Sequence, residues 1–277
     1  MGLATDLYES MMKNDSGIVP DKDKYLTRYP FVMVVDVSWS TGQGPDPDIR
    51  HINTAINKIL ATLRQPPPGT DLANNIDQID FALITYSHAT DIALSWSTVQ
   101  HIPPSVEEFK PLTSTATALA LTTAINYIQA RLRYYKENKI PTGMPNIIHL
   151  TDGAPTDMTV GDPTWTHIAN HLNKLHGTER RTAAIIHYVA PNGCKTDPNN
   201  PIKDETGALI SGQEAMSRLS GKTTVYSLGT DVDGFTGMVE MLTVAMGTAT
   251  IGDWGIDEAA KQAKDQGAGS INIDKKK

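Results

Sequence analysis

The stretch from Phe31 to Ser40, FVMVVDVSWS, decides the fold of this 277-residue chain. Its first five residues form a continuous apolar run rich in valine, which is typical of a strand covered on both faces. Three oxygen-bearing side chains, Asp36, Ser38 and Ser40, follow the run at alternate positions. The stretch therefore predicts a buried strand that delivers a group of polar side chains to one edge of a sheet.

Apolar runs of the same kind recur along the chain and alternate with helical patterns. Core strands are predicted at 31–35, 79–86, 146–150, 183–189 and 223–228, and an edge strand at 90–96. Apolar spacing predicts helices at 52–63, 118–132, 168–175, 235–246 and 256–264, with a modest helical stretch at 7–12. This alternation predicts an α/β fold with a doubly wound, mostly parallel central sheet and helices on both faces.

The chain divides into three parts on composition. Residues 1–28 are predicted as an N-terminal extension, 29–250 as one domain, and 251–277 as a C-terminal helix and tail. Within the domain, residues 191–211 are polar and rich in Pro, Asn and Asp, which predicts a long surface loop inserted between two strands.

Composition excludes several classes of function. The net charge is −7, and the only basic block is Lys275-Lys276-Lys277, so a nucleic-acid partner is not expected. Cys194 is the single cysteine, so an intrachain disulfide is excluded. No apolar run approaches the roughly 20 residues of a membrane span, and no signal peptide is recognised at the start. The expected location is the cytoplasm.

Three polar clusters share the same chemistry. They are Asp36-Val37-Ser38-Trp39-Ser40, Thr113-Ser114-Thr115, and Thr151-Asp152-Gly153 followed by Pro155-Thr156-Asp157. The first and third directly follow core strands, and the second opens a helical pattern. Ligands of such folds bind outside the carboxyl ends of the strands, and all three clusters offer oxygen atoms. We therefore predict one metal site built from the three.

The order and setting of these clusters resemble the von Willebrand factor A domain, and specifically its metal-ion-dependent adhesion site. The similarity runs from about residue 29 to residue 247. The resemblance implies a Rossmann-like fold, direct binding of a metal by Ser38 and Ser40, and binding by Thr115 when a ligand engages. It also implies that Asp36 and Asp152 act mainly through bound water.

The expected cofactor is Mg²⁺, with Mn²⁺ and Ca²⁺ as alternatives, because a hard cation prefers oxygen ligands and Mg²⁺ keeps several waters. Few direct carboxylates leave the ion able to accept an Asp or Glu carboxylate from a protein partner, as the resemblance implies. No enzyme signature is present, so catalysis is not expected. Homo- and hetero-oligomers are both compatible with the sequence.

Two departures from the family pattern concern the site directly. Family members often read Gly-Gly-Thr-x-x-Gly-x-Ala-Leu, which selects Thr115 over Thr113 and Thr117 because Ala120 and Leu121 then match Ala-Leu. Thr113 and Ser114 stand in place of the paired glycines. Trp39 fills a position that is often glycine, so it either forms part of a ligand platform or partly covers the ion.

Among subfamilies, the string LTDGAPTD at 150–157 and the junction STATAL at 114–119 are most similar to bacterial stand-alone proteins associated with tellurium resistance. That resemblance implies a stress-response or defence system.

Each cluster also has a plainer interpretation. Residues 36–40 can form a turn that caps the next helix, Thr115 can be a helix N-cap, and Asp152 before Gly153 can be a turn residue. Asp157 fits a cap or turn better than a ligand. At the level of function, the alternative is a structural or assembly subunit with incidental or no metal. A Mg²⁺-assisted hydrolase is a third hypothesis, for which no nucleophile and base pair is present.

The histidines show no zinc-binding spacing. His167 and His171 share a helix face, which fits a solvated surface better than a metal site. His149 and His187 lie within predicted core strands and are expected to be hydrogen-bonded.

Overall fold

The computed structural model describes residue 9 and residues 17–175, 184–196, 201–220, 224–228, 232–249 and 272–273. The longer strands are β1 (Tyr29–Asp36), β2 (Ile79–Tyr86), β3 (Thr90–Thr98), β4 (Asn146–Thr151) and β5 (Ala184–Val189). The shorter strands are β6 (Ile202–Lys203), β7 (Leu209–Ile210), β8 (Thr224–Ser227) and β9 (Asn272–Ile273). The helices are α1 (Asp48–Arg64), α2 (Asp71–Asn75), α3 (Thr117–Glu137), α4 (Pro163–Leu175), α5 (Gly212–Ser220) and α6 (Val232–Ala249).

The central sheet has the strand order β3-β2-β1-β4-β5-β8-β9. Strands β2, β1, β4, β5 and β8 are parallel to their neighbours in this run, whereas β3 and β9 pair antiparallel at the two edges. The predicted α/β fold with a doubly wound, mostly parallel sheet is confirmed. The strand order reverses at β1, so the crevice between the carboxyl ends of β1 and β4 is the switch point where such folds bind ligands.

Strand β1 is buried on both sides, as its apolar run predicts. Phe31, Met33 and Val35 face one core cluster, which includes residues of α1 and α6. Val32 and Val34 face a second cluster, which includes residues of α3, α4 and α5. Helices therefore cover both faces of the sheet, and β1 lies between the two cores.

At the amino edge of the sheet, a buried ionic cluster surrounds Asp80, the second residue of β2. Arg131 on α3 donates to its carboxylate at 2.7 Å, and both Arg28 and Tyr135 donate to it as well. Arg131 also donates to the Gly17 carbonyl at 2.6 Å. The cluster ties residues of the N-terminal extension to α3 at the edge opposite the carboxyl ends of the strands.

The structure corrects the prediction for the inserted segment. Residues 191–211 are predicted as a loop, but Pro191–Cys194 forms a 3-10 helix and β6 pairs antiparallel with β7 in a hairpin. The physical reason is apolar burial: the side chain of Ile210 is 4% exposed, and Ile202 packs against the core of α3, α4 and α5. The segment is an ordered wall rather than a purely polar loop in the residues described.

Two predicted helices, 7–12 and 256–264, lie outside the described residues, apart from residue 9. Of the predicted tail, Asn272–Ile273 pairs with β8 as an antiparallel edge strand. Among the helices that the structure describes, none is long and apolar enough to cross a membrane.

Candidate metal centre

The first and third polar clusters meet at the switch point because β1 and β4 are adjacent and parallel. Val35 on β1 is paired with Leu150 on β4, so the residues that follow both strands emerge side by side. The second cluster joins them through its backbone, since the Thr156 amide donates to the Thr115 carbonyl at 2.8 Å. All five predicted ligands are thereby brought to one edge of the sheet.

The loop after β1 arranges its three ligand candidates locally. Asp36 accepts a hydrogen bond from the Ser38 backbone amide at 2.9 Å through Oδ1. Trp39–Gly42 then forms a 3-10 turn, which places the Ser38 and Ser40 hydroxyls 3.1 Å apart. The predicted turn is present, but the Ser38 side chain makes no capping bond. The two serine hydroxyls therefore face each other rather than a helix end.

Asp152 uses its two carboxylate oxygens in different directions. Oδ1 accepts from the Ala154 amide at 3.0 Å, which is the turn interaction that a D-G pair indicates. Oδ2 accepts a hydrogen bond from the Ser40 hydroxyl across the site. Gly153 follows with φ of +79°, a left-handed conformation that glycine adopts at little steric cost.

Asp36 accepts hydrogen bonds from two side chains inside the fold, of which only Tyr86 was not singled out in the sequence. Its Oδ2 accepts from Thr151 Oγ1 at 2.9 Å and from the Tyr86 hydroxyl at 3.4 Å. Tyr86 also lies 2.8 Å from His149 Nε2, and His149 Nδ1 lies 2.9 Å from His187 Nδ1. Both histidines are hydrogen-bonded in the core, as predicted.

The hydrogen bonds that link His187, His149, Tyr86 and Asp36 can all run in one donor-to-acceptor direction. If the Tyr86 hydroxyl donates to Asp36, then His149 Nε2–H donates to Tyr86, and His187 Nδ1–H donates to His149. Burial and the neighbouring His187 lower the pKa of His149 well below its usual value, so the ring is neutral. A line of buried donors therefore ends on the carboxylate of Asp36.

Thr115 lies at the site with its backbone fixed on both sides. Its amide donates to Thr156 Oγ1 at 3.0 Å, and the Thr156 amide donates to its carbonyl at 2.8 Å. Helix α3 begins two residues later and has Ala116 at its N-cap, without a side-chain capping bond. The N-cap interpretation of Thr115 is wrong.

Asp157 supplies the cap of α3 instead. Its two carboxylate oxygens accept from the backbone amides of Ala118 and Leu119 at 3.1 and 3.0 Å. Carboxylates at a helix N-terminus satisfy amides that have no partner within the helix. The predicted capping role of Asp157 is confirmed.

The two ligand carboxylates have raised pKa values. Burial and the charge of Asp152 together raise the pKa of Asp36 to about 7, although hydrogen bonds from Ser38 and Thr151 lower it. Burial also raises the pKa of Asp152, against the hydrogen bond from Ser40. In the described part of the chain, neither carboxylate forms an ion pair with a basic side chain.

This donor set fits a hard dication. Two buried carboxylates and three hydroxyls supply oxygen atoms alone, and a positive ion between them would offset charges that now repel each other. Because the site has only two carboxylates, it depends on its hydroxyl groups. In the described residues, no three His, Cys, Asp or Glu side chains form a group that could hold a metal without them. His167 and His171 lie with ring centroids 4.5 Å apart on α4, without a third ligand of these types in the described residues.

A cavity of about 630 Å³ opens onto the site. Ser40, Thr115 and Asp152 line it, whereas Asp36 and Ser38 lie beneath, with 0% and 1% of their surface exposed. Trp39 also lines the cavity and is 61% exposed, so its ring stands at the mouth. Thr113 shares the lining, and the Thr117 hydroxyl is buried.

Sequence reasoning missed the hydrogen bonds that Tyr86 and Thr151 donate to Asp36. It also missed the ordered part of the insertion that lines the cavity. Tyr86 and Thr151 end their strands next to Asp36, and that adjacency follows only from strand register. The insertion contributes Lys195, Ile202 and Ile210 to the cavity lining. The apolar isoleucines within an otherwise polar segment were the available signal.

No family model matches the chain, and no curated protein matches it. Solved structures do. The pilus adhesin SpaC from Lactobacillus rhamnosus GG has a TM-score of 0.54 at 12% identity, over 80% of this chain and 31% of SpaC. This chain is similar to SpaC in fold. At this identity, the likeness concerns the fold alone.

Two further structures match more distantly. The ArnB paralog VWA2 from Sulfolobus acidocaldarius has a TM-score of 0.45 at 16% identity, over 78% of this chain and 46% of VWA2. The conserved protein BatB from Bacteroides thetaiotaomicron has a TM-score of 0.43 at 12% identity, over 79% of this chain and 98% of BatB. The chain thus spans less than half the length of SpaC and of VWA2.

Proposed function

We propose that the chain is a protein-interaction module of the von Willebrand factor A type, which binds a partner's carboxylate through a Mg²⁺ adhesion site. Ser38 and Ser40 would hold the ion directly, Thr115 would join when a ligand engages, and Asp36 and Asp152 would act through water. The contact between the Ser40 hydroxyl and Asp152 supports this most strongly, because it joins the loops after β1 and β4 at one point.

The predicted ligands would leave the ion able to bind an anionic group of a partner. Hydroxyls are neutral ligands, so a dication held mainly by them keeps most of its charge for a further anionic ligand. A carboxylate from a partner protein is such a ligand. When bound, the ion would supply this attraction, while the residues of the chain fix its place at the cavity floor.

Capture of a partner tests the proposal. The chain is immobilised with Mg²⁺ and exposed to extract of the native host, and retained proteins are released with EDTA. Wild type is expected to retain a partner that EDTA releases. The Asp36→Ala variant is expected not to bind that partner. The partner's Asp or Glu residues are then changed singly to Asn or Gln, and one change should abolish binding. Equal capture with EDTA and with Mg²⁺ would contradict the adhesion mechanism.

The alternative is a structural or assembly subunit that uses the same fold, and the 61% exposure of Trp39 also favours it. Light scattering with and without chelator discriminates between the two, because a stable oligomer that ignores metal indicates assembly. A role in a bacterial stress-response or defence system stays a prediction, which the genes adjacent to this one would test.

A further inference from the structure

Three exposed apolar side chains lie on the segments that carry predicted metal ligands. In the described residues, six large apolar side chains are substantially exposed, and three of them are close in sequence to predicted ligands. These three are Trp39 at 61%, Leu112 at 48% and Leu119 at 41% exposure. We call them the apolar rim. An exposed apolar patch rimmed by polar groups marks a site of interaction with other proteins.

The structure fixes each member of the rim to a ligand-bearing segment. Trp39 lies between Ser38 and Ser40 in the 3-10 turn. Leu112 forms a parallel bridge with Ser38. Leu119 lies in the first turn of α3, where Asp157 holds its backbone amide. The rim is therefore built on the segments that carry the site.

The inserted segment forms a second boundary of the same cavity, which we call the insertion wall (Lys195, Ile202 and Ile210). It is attached firmly to the loop of Asp152. A Cβ added to Gly193 or Gly212 would lie 1.8 or 2.0 Å from the Asp152 carbonyl oxygen, so only glycine allows this approach. Gly193 near the start of the insertion and Gly212 directly after its end thus lie close against the backbone of a predicted ligand.

Charge distinguishes the kind of partner. Of the described residues that line the cavity, only Asp152, which is buried, and Lys195, which is exposed, carry a charge. The chain as a whole has a net charge of −7, so the positive charge of the exposed Lys195 is opposite in sign to the net charge of the protein. A dication would offset the two buried carboxylates and leave Lys195 as the charge that faces a ligand.

We propose that the cavity, the apolar rim and Lys195 together form a docking surface for an acidic segment of another protein, in which a carboxylate is flanked by large apolar side chains. The inference rests on the proposed function, because the first carboxylate of the segment binds the ion. Contacts with Trp39 and with the half-buried Ile202 of the insertion wall bury the apolar neighbours, and a second acidic group approaches Lys195. A buried aromatic contact at the centre of an interface carries a large share of its binding energy.

A display library of random peptides tests this inference. Peptides are selected on the immobilised full chain with Mg²⁺ and released with EDTA. We expect enrichment of Asp or Glu next to aromatic or aliphatic residues. An enriched peptide is then synthesised and titrated into Trp39→Ala, Leu119→Ala and Lys195→Glu.

Each variant has an expected effect and a matched control. Trp39→Ala is expected to weaken peptide binding about tenfold or more, whereas Tyr25→Ala, an exposed aromatic before the amino end of β1, leaves it unchanged. Lys195→Glu is expected to weaken binding roughly threefold, and more at low salt. Lys58→Glu makes the same charge change on α1 without effect. Mg²⁺ affinity is measured for every variant, and Leu119→Ala keeps the test valid if Trp39→Ala loses Mg²⁺ binding.

The outcomes separate this inference from the proposed function. Acidic peptides that require Mg²⁺ but lack apolar neighbours, and that bind Trp39→Ala and Leu119→Ala as well as wild type, would overturn the docking surface alone. Peptides that bind equally in EDTA would overturn the adhesion site on which it rests. A Mg²⁺-dependent dimer of the chain that Trp39→Ala abolishes would assign the surface to self-association and overturn the partner proposed here.

Discussion

The Ser40 hydroxyl donates a hydrogen bond to the carboxylate of Asp152, which lies 112 residues further along the chain. Ser40 follows β1 and Asp152 follows β4, so the contact exists only because these two strands are neighbours in the sheet. Asp152 and Asp36 are both buried, and the pKa of each is raised. The chain thus holds two carboxylates in an arrangement that a cation would stabilise.

Replacing Asp152 by Asn should remove metal binding without harming the metal-free fold. The Asn oxygen can still accept from Ala154, and its amide can donate to Ser40. Saturation with a metal at about 100 times its dissociation constant would stabilise wild type by roughly 2.7 kcal/mol. That is roughly 5 to 10 °C in melting temperature for a domain of this size. The variant should show no Mg²⁺-induced rise.

Asp157→Asn is the matched control, because it changes a carboxylate in the same sequence string. It should lose about 1 kcal/mol of stability, because the Asn amide nitrogen cannot accept the second backbone hydrogen bond, and it should keep the Mg²⁺-induced rise. Thermal unfolding with Mg²⁺ and with EDTA measures both variants. A normal rise in Asp152→Asn would exclude Asp152 from the site.

Tyr86→Phe should weaken metal binding while the fold persists. The variant removes the hydroxyl that donates to Asp36 at 3.4 Å and lies 2.8 Å from His149. Groups that orient a metal ligand commonly change affinity by about tenfold, and we expect that loss in a Mg²⁺ titration. Tyr127→Phe removes another buried hydroxyl, which accepts from the Trp96 amide at 3.2 Å. It should cost about 1 kcal/mol and leave Mg²⁺ affinity unchanged.

Gly212→Ala should disturb the site through the backbone. The new Cβ would lie 2.0 Å from the Asp152 carbonyl oxygen, so the loop or α5 must move. We expect about 1 to 3 kcal/mol of destabilisation together with weakened Mg²⁺ binding. Gly207→Ala is the control, because its φ is +84° but no atom lies within 4 Å of the added group. It should lose about 1 kcal/mol to backbone strain, with normal Mg²⁺ affinity.

The ionic cluster at Asp80 should make stability depend on pH. Burial alone would raise the pKa of Asp80, but the charges of Arg131 and Arg28 outweigh it and hold the pKa below the usual range. A carboxylate with a lowered pKa stabilises the fold above about pH 4, its unfolded value. This stability is lost as the pH falls from there through the lowered pKa.

Asp80→Asn should therefore destabilise the chain by roughly 3 to 5 kcal/mol at pH 7, since two buried arginines lose their counter-charge. The difference from wild type should shrink as the pH falls below about 4. Urea unfolding across this range measures it, with the exposed Asp77→Asn as a control that changes stability by less than about 0.5 kcal/mol. A difference that does not vary with pH would refute the role given to Asp80.

Local sequence was sufficient to predict the sheet and the placement of the polar clusters at one edge of it. The apolar run before Asp36 could only be a strand buried on both faces, and the strands alternate with helices, so the carboxyl ends of β1 and β4 share an edge. Family resemblance selected Thr115 among three threonines. In the structure, the side chain of Asp157, and not that of Thr115, caps the amino end of α3.

The rest depended on register and close packing, which a single sequence does not encode in any local pattern. Tyr86, His149 and His187 lie on three different strands, and their hydrogen bonds follow from pairings such as His149 with His187. The insertion wall depends on two glycines that approach Asp152 from distant positions. Polar composition predicted a loop there, but the burial of Ile210 outweighs it.

The most direct test of the metal centre is an anomalous difference map from crystals of the full chain grown with Mn²⁺. The account predicts one strong peak at the cavity floor, about 2.1 Å from the hydroxyl oxygens of Ser38 and Ser40, with water between the ion and Asp36 or Asp152. Absence of a peak there at saturating Mn²⁺, or a peak only between His167 and His171, would contradict it.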